Sequence, residues 1–167
     1  LLLLELAEGD LAEVPARAGE GIDLNDDPKS LRPGSNARIL DGESDFSVEA
    51  VVYLRSMYSN ASVRTIASQW NNSQSSAGWS FGVTSKQSRY RPGNLILQLI
   101  GQTKAGSMQY EVVPSNIHLE LNTPYYVAVT VNVNDESEAG VTFFVKNLST
   151  NDPLEQASAT HQVVRGY

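Results

Sequence analysis

FSVEAVVYL, residues 46–54, places Phe46, Val48 and every second residue after them on one face of an extended strand. The opposite face carries a mixed set of side chains that begins with Ser47. YYVAVTVNV, residues 125–133, repeats the same alternation. Two long strands that share a pattern but lie far apart in sequence predict antiparallel partners in a β-sandwich.

Turn signals separate further short apolar stretches and predict an all-β chain of about nine or ten strands without a helix. LILQLI is apolar on both faces and is expected to be a central strand. Pro114 is expected to end the next strand, and residues 7–36 are expected to form a long loop. The predicted strands are residues 1–6, 37–40, 46–54, 63–70, 79–84, 95–100, 109–113, 125–133, 141–148 and 156–164. The predicted core contains Phe46, Val48, Val52, Trp79, Phe81, Leu97, Val127, Val129, Phe143 and Val145.

Composition limits the classes of function. The 167 residues are 41% hydrophobic and fit one domain, which we expect to span residues 1–167. The net charge of −7 and the lack of Lys or Arg runs argue against nucleic acid as a partner. No stretch reaches the ~20 apolar residues of a membrane helix, so we expect no membrane insertion. The chain has no Cys, which excludes disulfides, thiolate metal sites and Cys nucleophiles.

The first ten residues, LLLLELAEGD, do not form a signal peptide, because they lack a basic segment and Glu5 interrupts the apolar run. The chain begins at Leu1 rather than at Met. We therefore expect it to be a piece of a longer protein whose other domains are its neighbours.

Several segments together resemble a laminin G-like module, which has the concanavalin A-like jelly-roll fold of lectins and glucanases. They are SNARILDGESDFSVEAVVYL, TIASQW, GWSFGVT, LILQL, LELNTPYYVAVTV and GVTFFVKNL, and the resemblance covers residues 36–148. The chain is also similar to modules of large exported proteins of planctomycete-type bacteria that carry cytochrome c-like segments. Two departures are that Val51 stands where many members have Trp, and that the final strand or strands of the family are missing after His161.

The resemblance implies an antiparallel jelly-roll sandwich in an exported protein, located in the periplasm, on the cell surface or outside the cell. It also implies a non-catalytic module that binds a glycan or a protein or serves as a scaffold. Calcium is possible, because such modules often bind it at the rim of the sandwich with loop oxygen ligands. The candidate ligands are Asp41, Asp45, Asp135, Glu136 and Glu138, and the alternative is that these are solvated loop carboxylates.

Aromatic residues beside polar loops are the candidates for a sugar-binding face, because a pyranose ring stacks on an aromatic plane while amides and guanidinium groups bind its hydroxyls. The alternative is that the Trp caps the edge of the core and that Pro92-Gly93 simply holds a turn. The candidate residues are Trp70, Asn71, Asn72, Arg89, Tyr90 and Arg91.

A hydrolase is the alternative function. Gly78-Trp-Ser80-Phe-Gly82 matches G-x-S-x-G, and Asp135 or Asp152 and then His161 follow in the order of a Ser-Asp-His triad. The nucleophile elbow needs a helix after the serine, whereas the period-2 pattern continues here, so a strand position is favoured for Ser80.

A degenerate glucanase is a second form of that alternative. Its paired carboxylates would stand close together on one strand, but Glu49 and Glu111 stand singly on theirs and Glu120 flanks a turn. His118 and His161 have no second ligand at zinc spacing and are expected to have ordinary surface or hydrogen-bonding roles.

Overall fold

The computed structural model describes residues 12–16, 19–23, 44–71 and 73–163. The chain divides into two compact units, Leu1–Ile39 and Leu40–Tyr167. The strands predicted at residues 1–6 and 37–40 lie outside the described residues. The single domain predicted over residues 1–167 stays a prediction.

The N-terminal unit contains a short antiparallel hairpin of β1 (Ala12–Ala16) and β2 (Gly19–Asp23), with Val14 opposite Gly21. The long loop predicted over residues 7–36 is therefore wrong in this part. Two short strands can pair through backbone hydrogen bonds alone, and these two carry no alternating side-chain pattern that would reveal them. A two-stranded sheet has only edge strands, and Pro is tolerated in an edge strand, as at Pro15.

The larger unit contains eight strands and, over its described residues, no helix. They form two antiparallel sheets, which we call sheet I (order β10-β9-β8-β3) and sheet II (order β4-β5-β6-β7). The two sheets share one hydrophobic core, which is the arrangement of a β-sandwich. The strands are β3 (Phe46–Tyr53), β4 (Val63–Gln69), β5 (Gly78–Thr84), β6 (Asn94–Gln102), β7 (Met108–His118), β8 (Pro124–Val131), β9 (Val141–Asn147) and β10 (Glu155–Ala159).

Sheet I confirms the pairing predicted from the two long alternating stretches. β3 and β8 run antiparallel, with Phe46 opposite Val131 and Val48 opposite Val129. Val129 is completely buried, whereas Val51, one position out of phase with the core-facing residues, is 58% exposed. The period-2 pattern therefore placed the correct face of each strand in the core.

Sheet II confirms that LILQLI is an interior strand, since β6 lies between β5 and β7 and is buried on both faces. The predicted end of the next strand is wrong, because β7 continues through Pro114 to His118. Pro114 lies opposite Ile96 beside a register shift in the β6–β7 pairing, and β7 is the last strand of sheet II. An edge position next to an irregularity does not require the N–H that proline lacks.

The core lies between the two sheets and contains the predicted side chains. Val48 and Val52 are partly buried against the core, and the other predicted core residues are buried. Phe46 and Trp79 contact each other across the sandwich, with ring centroids 5.4 Å apart. Aromatic pairs at this spacing add stability beyond their buried area.

Candidate functional site: a groove on the outer face of sheet II

The outer face of sheet II is buried without belonging to the core. Along β6, Leu97 faces the core, so Ile96 and Gln98 point the opposite way. Even so, Ile96 is 1% exposed and Gln98 is 7% exposed. The segments on either side of the sheet therefore rise around its outer face and form a groove of about 800 Å³. That volume is in the range of roughly 300–1,000 Å³ found for small-molecule sites.

The strand register determines the floor of this groove. One row of paired residues crosses the sheet from Ser80 on β5 through Gln98 on β6 to Val112 on β7. A second row places Gly82 opposite Ile96. A side chain at position 82 would contact β4, because an added Cβ would lie 2.5 Å from the carbonyl oxygen of Arg64. The floor is thus a flat, mixed surface with one amide at its centre.

One end of the groove is aromatic. The rings of Trp70 and Tyr110 lie 25° from parallel with their centroids 6.0 Å apart. Trp70 Nε1 donates to the carbonyl oxygen of Ser73 at 2.8 Å, and Gln98 Nε2 donates to the Tyr110 hydroxyl at 2.7 Å. Both rings are held by hydrogen bonds while remaining half-buried. An adjacent pair of rings held in this way is a platform on which a sugar ring can stack.

The backbone helps to position this platform. An added Cβ at Gly78 would clash with the carbonyl oxygen of Gln69 and lie 2.8 Å from Cβ of Trp70. The absence of a side chain at position 78 therefore lets the chain bring Trp70 close to the start of β5.

The other end of the groove combines aromatic rings with cations. Arg89 lies with its guanidinium carbon 4.7 Å from the ring centroid of Tyr90, and its Nη2 donates to the Tyr90 hydroxyl at 2.6 Å. On the neighbouring segment, the guanidinium carbon of Arg64, which is not among the lining residues, lies 4.0 Å from the ring centroid of Tyr58. Each pair has the geometry of a cation–π contact.

Backbone hydrogen bonds join the two segments at this end. The N–H of Lys86 donates to the carbonyl oxygen of Tyr58 at 3.2 Å, and that of Gln87 donates to Asn60 at 3.1 Å. The loop between β5 and β6 is further fixed because Asn94 Nδ2 donates to the carbonyl oxygen of Tyr90 at 3.0 Å. The rings at this end are therefore carried by a hydrogen-bonded scaffold.

The structure brings together only some of the residues predicted for the sugar site. Trp70, Arg89 and Tyr90 line the groove. Asn71 instead organises its own loop, accepting from the N–H of Ser73 and donating to Ser76. Arg91, with φ of 67°, forms the turn before β6, and its carbonyl oxygen accepts from Thr84. Asn72 lies outside the described residues, and the sugar site itself stays a prediction.

Sequence reasoning missed the rest of the groove lining, including Tyr58, Gln98 and Tyr110. Gln98 gave a usable signal, because a lone amide inside the apolar run LILQLI must find a polar partner when buried. Tyr58 lies in an irregular segment and Tyr110 on an edge strand, and only the tertiary structure brings them to one surface.

Three of the carboxylates predicted for calcium, Asp45, Asp135 and Glu136, have other partners. Asp45 Oδ1 accepts from the N–H of Val133 at 2.7 Å, and Glu136 pairs with Lys104 at 2.8 Å. Hydrogen bonds from the side chain and backbone of Ser137 hold the pKa of Asp135 below its usual value. Glu138 is exposed.

Within the part of the chain that the structure describes, no three His, Asp or Glu side chains gather as a metal site would require. Asp41 lies outside that part. The calcium site stays a prediction.

The serine of the G-x-S-x-G match lies within β5, paired on one side with Ser68 and on the other with Gln98. Ser80 is 2% exposed. The ring nitrogens of His161 lie 2.7 Å from the carbonyl oxygen of Val163 and 3.0 Å from that of Asn132. A catalytic base needs one ring nitrogen directed at the nucleophile, whereas both are directed at backbone here.

Comparison of the chain with protein-family models, with curated proteins and with solved structures gave no match. Over the described residues, no helix has the length and apolar character required to cross a membrane.

Proposed function

We propose that residues 40–167 form a non-catalytic carbohydrate-binding module and that the groove on sheet II holds the glycan. We also propose that the sandwich is a jelly roll of the laminin G-like type, carried by a larger exported protein. The sequence motifs between residues 36 and 148 are the support for that second proposal. The groove supports the first.

The observation that carries the proposal is the aromatic platform of Trp70 and Tyr110 beside the buried amide of Gln98. Sugar rings present apolar C–H faces and a rim of hydroxyls, so they need both flat rings and fixed hydrogen-bonding groups. Each ring of the platform has a polar atom that already holds it in place. Less conformational freedom is then lost when a ligand binds.

The dimensions of the groove suit an oligosaccharide better than a single sugar. The groove is lined by residues of β4 and β6, the strands on either side of β5, and the seven residues of β5 span about 20 Å at the rise of a strand. Aromatic rings stand at both ends of that length, Trp70 at one and Tyr90 at the other. A chain of several sugar rings can contact both ends at once.

The test is affinity electrophoresis and isothermal titration calorimetry with a panel of soluble polysaccharides. We expect at least one of them to bind, and Tyr110→Ala to weaken that binding about tenfold or more, since stacking and the contact with Gln98 are both lost. Tyr53→Ala is the matched control, because Tyr53 is also a strand tyrosine but is 54% exposed on the outer face of sheet I.

Circular dichroism and melting curves will verify that both variants fold. The proposal fails if no polysaccharide binds the folded protein. It also fails if Tyr53→Ala weakens binding as much as Tyr110→Ala does.

A further inference from the structure

Charge is distributed very unevenly along this acidic chain. Residues 50–110 contain six of its 12 Lys and Arg but none of its 19 Asp and Glu. That stretch supplies β4, β5, β6 and the start of β7, and so it builds nearly all of sheet II. The stretch therefore has a charge of +6, and the remainder of the chain has a charge of −13, which together give the net charge of −7.

The groove itself shows the same asymmetry. Among the described residues, its lining includes the guanidinium of Arg89 and no carboxylate. Lys86 and Arg91 lie in the same loop and are exposed. A cleft lined by one sign of charge concentrates a ligand of the opposite sign.

Arg89 is positioned to bind an anion rather than only to support the fold. It is exposed at the wall of the groove, and it is held against the Tyr90 ring by a cation–π contact and a hydrogen bond to the Tyr90 hydroxyl. These contacts fix the plane of the guanidinium but occupy only one of its five N–H donors. A guanidinium fork with donors to spare matches a carboxylate, which it can bind through two parallel hydrogen bonds.

The number of cations favours a sparsely charged ligand. A nucleic acid carries a phosphate on every nucleotide and is bound by proteins that neutralise many of them. Among the described residues, the groove lining supplies one guanidinium, which is too few to neutralise a phosphate on every nucleotide. A polysaccharide that carries single carboxylates on neutral rings suits both the aromatic platform and the isolated cation.

We propose that the ligand is an acidic polysaccharide whose sugar rings carry carboxylates, and that Arg89 is the residue that selects for the charge. This inference rests on the proposed glycan-binding function and specifies the class of glycan. Trp70 and Tyr110 bind the rings, and Arg89 binds a carboxylate at the other end of the groove.

The probe is polygalacturonate, compared by isothermal titration calorimetry with the same polymer after complete methyl esterification, which removes the charge but keeps the rings. We expect the charged polymer to bind about tenfold more tightly at low salt. Arg89→Gln is expected to abolish that difference by weakening binding of the charged polymer. Lys104→Gln is the matched control, because it removes one positive charge outside the groove and should leave the difference intact.

Each other outcome contradicts the inference in a distinguishable way. Equal binding of the two polymers overturns the charge selectivity and leaves the glycan-binding function standing. Binding of a neutral glucan, with no binding of either form of polygalacturonate, has the same consequence. Tighter binding of a sulfated glycan or of polyuridylate than of polygalacturonate assigns the groove to a denser polyanion. Binding of no polysaccharide at all overturns both proposals.

Discussion

Replacing His161 with Ala should destabilise the protein far more than the same change at His118. His161 is completely buried, and its ring nitrogens lie within hydrogen-bond distance of the carbonyl oxygens of Asn132 and Val163. His118 is exposed, and its Nδ1 contacts only the carbonyl oxygen of Pro92 at 2.7 Å. The two histidines therefore make the same kind of contact at opposite extremes of burial.

The magnitude follows from two losses at His161. A carbonyl oxygen loses the N–H donor of the ring, and this loss is worth about 1–3 kcal/mol. The ring also leaves a cavity beside Gly140, where an added Cβ would lie 2.7 Å from the histidine Cδ2. Because some of these groups can reach water after truncation, we expect a total loss of about 3–5 kcal/mol. At His118, one exposed hydrogen bond is worth about 0.5–1 kcal/mol.

The assay is urea denaturation of the wild type and of the two variants, monitored by Trp fluorescence, with thermal melting as a second measurement. A loss of 3–5 kcal/mol corresponds to a fall in Tm of roughly 10 °C or more for a chain of this size. If His161→Ala lowers the free energy of unfolding by less than about 1 kcal/mol, or by no more than His118→Ala does, the buried contacts of the ring do not stabilise the protein and the reasoning is refuted.

Four further outcomes are expected. Val129→Ala should lower the free energy of unfolding by about 1–3 kcal/mol, and a loss below ~0.3 kcal/mol would contradict its burial. The pKa of Tyr126 is raised because its hydroxyl donates to Glu49, so this contribution to stability is complete below pH ~10 and is lost as pH rises through the higher folded value. In spectrophotometric titration Glu49→Gln should bring that pKa down, and an unchanged titration would refute the cause. A fluorophosphonate probe should label neither the wild type nor Ser80→Ala, whereas labelling that this change abolishes would establish the hydrolase alternative. If the loop carboxylates bind calcium, adding it at millimolar concentration after chelation will raise Tm, and an unchanged Tm rules out a site of useful affinity.

Side-chain periodicity predicted the strands whose two faces differ. β3 and β8 alternate between core and surface, so their pattern identified both the strands and the face that each one buries. The apolar run of β6 identified a strand buried on both sides. A pattern reports which neighbours the side chains have, and these strands have well-defined neighbours on each face.

The same reasoning failed where backbone groups rather than side chains determine the structure. β1 and β2 pair as a hairpin without an alternating pattern, and β7 runs through Pro114 because only one side of that strand needs its hydrogen bonds. Proline and glycine are read as breaks in a sequence, but an edge strand tolerates both.

The groove could be predicted only in part. Trp70, Arg89 and Tyr90 were selected because aromatic and polar residues adjoin in those loops, and all three line it. Tyr58 and Tyr110 also adjoin polar residues in the sequence, but nothing in their segments indicates that they share a surface with Trp70 or Tyr90. Local sequence reveals the chemistry of a loop but not which loops share one surface.

The two outer faces of the sandwich show why the groove is a permanent feature. On sheet I the outward residues Val51 and Tyr53 of β3 are more than half exposed, as expected for a sheet that has one face in the core. On sheet II the outward residues Ile96 and Ile100 are apolar and are at most 1% exposed. Removing these two side chains from water is favourable in itself, by about 1.5–3 kcal/mol for each. The walls of the groove are thus held in place by the hydrophobic effect before any ligand arrives, and the free energy of binding is not spent on assembling the site.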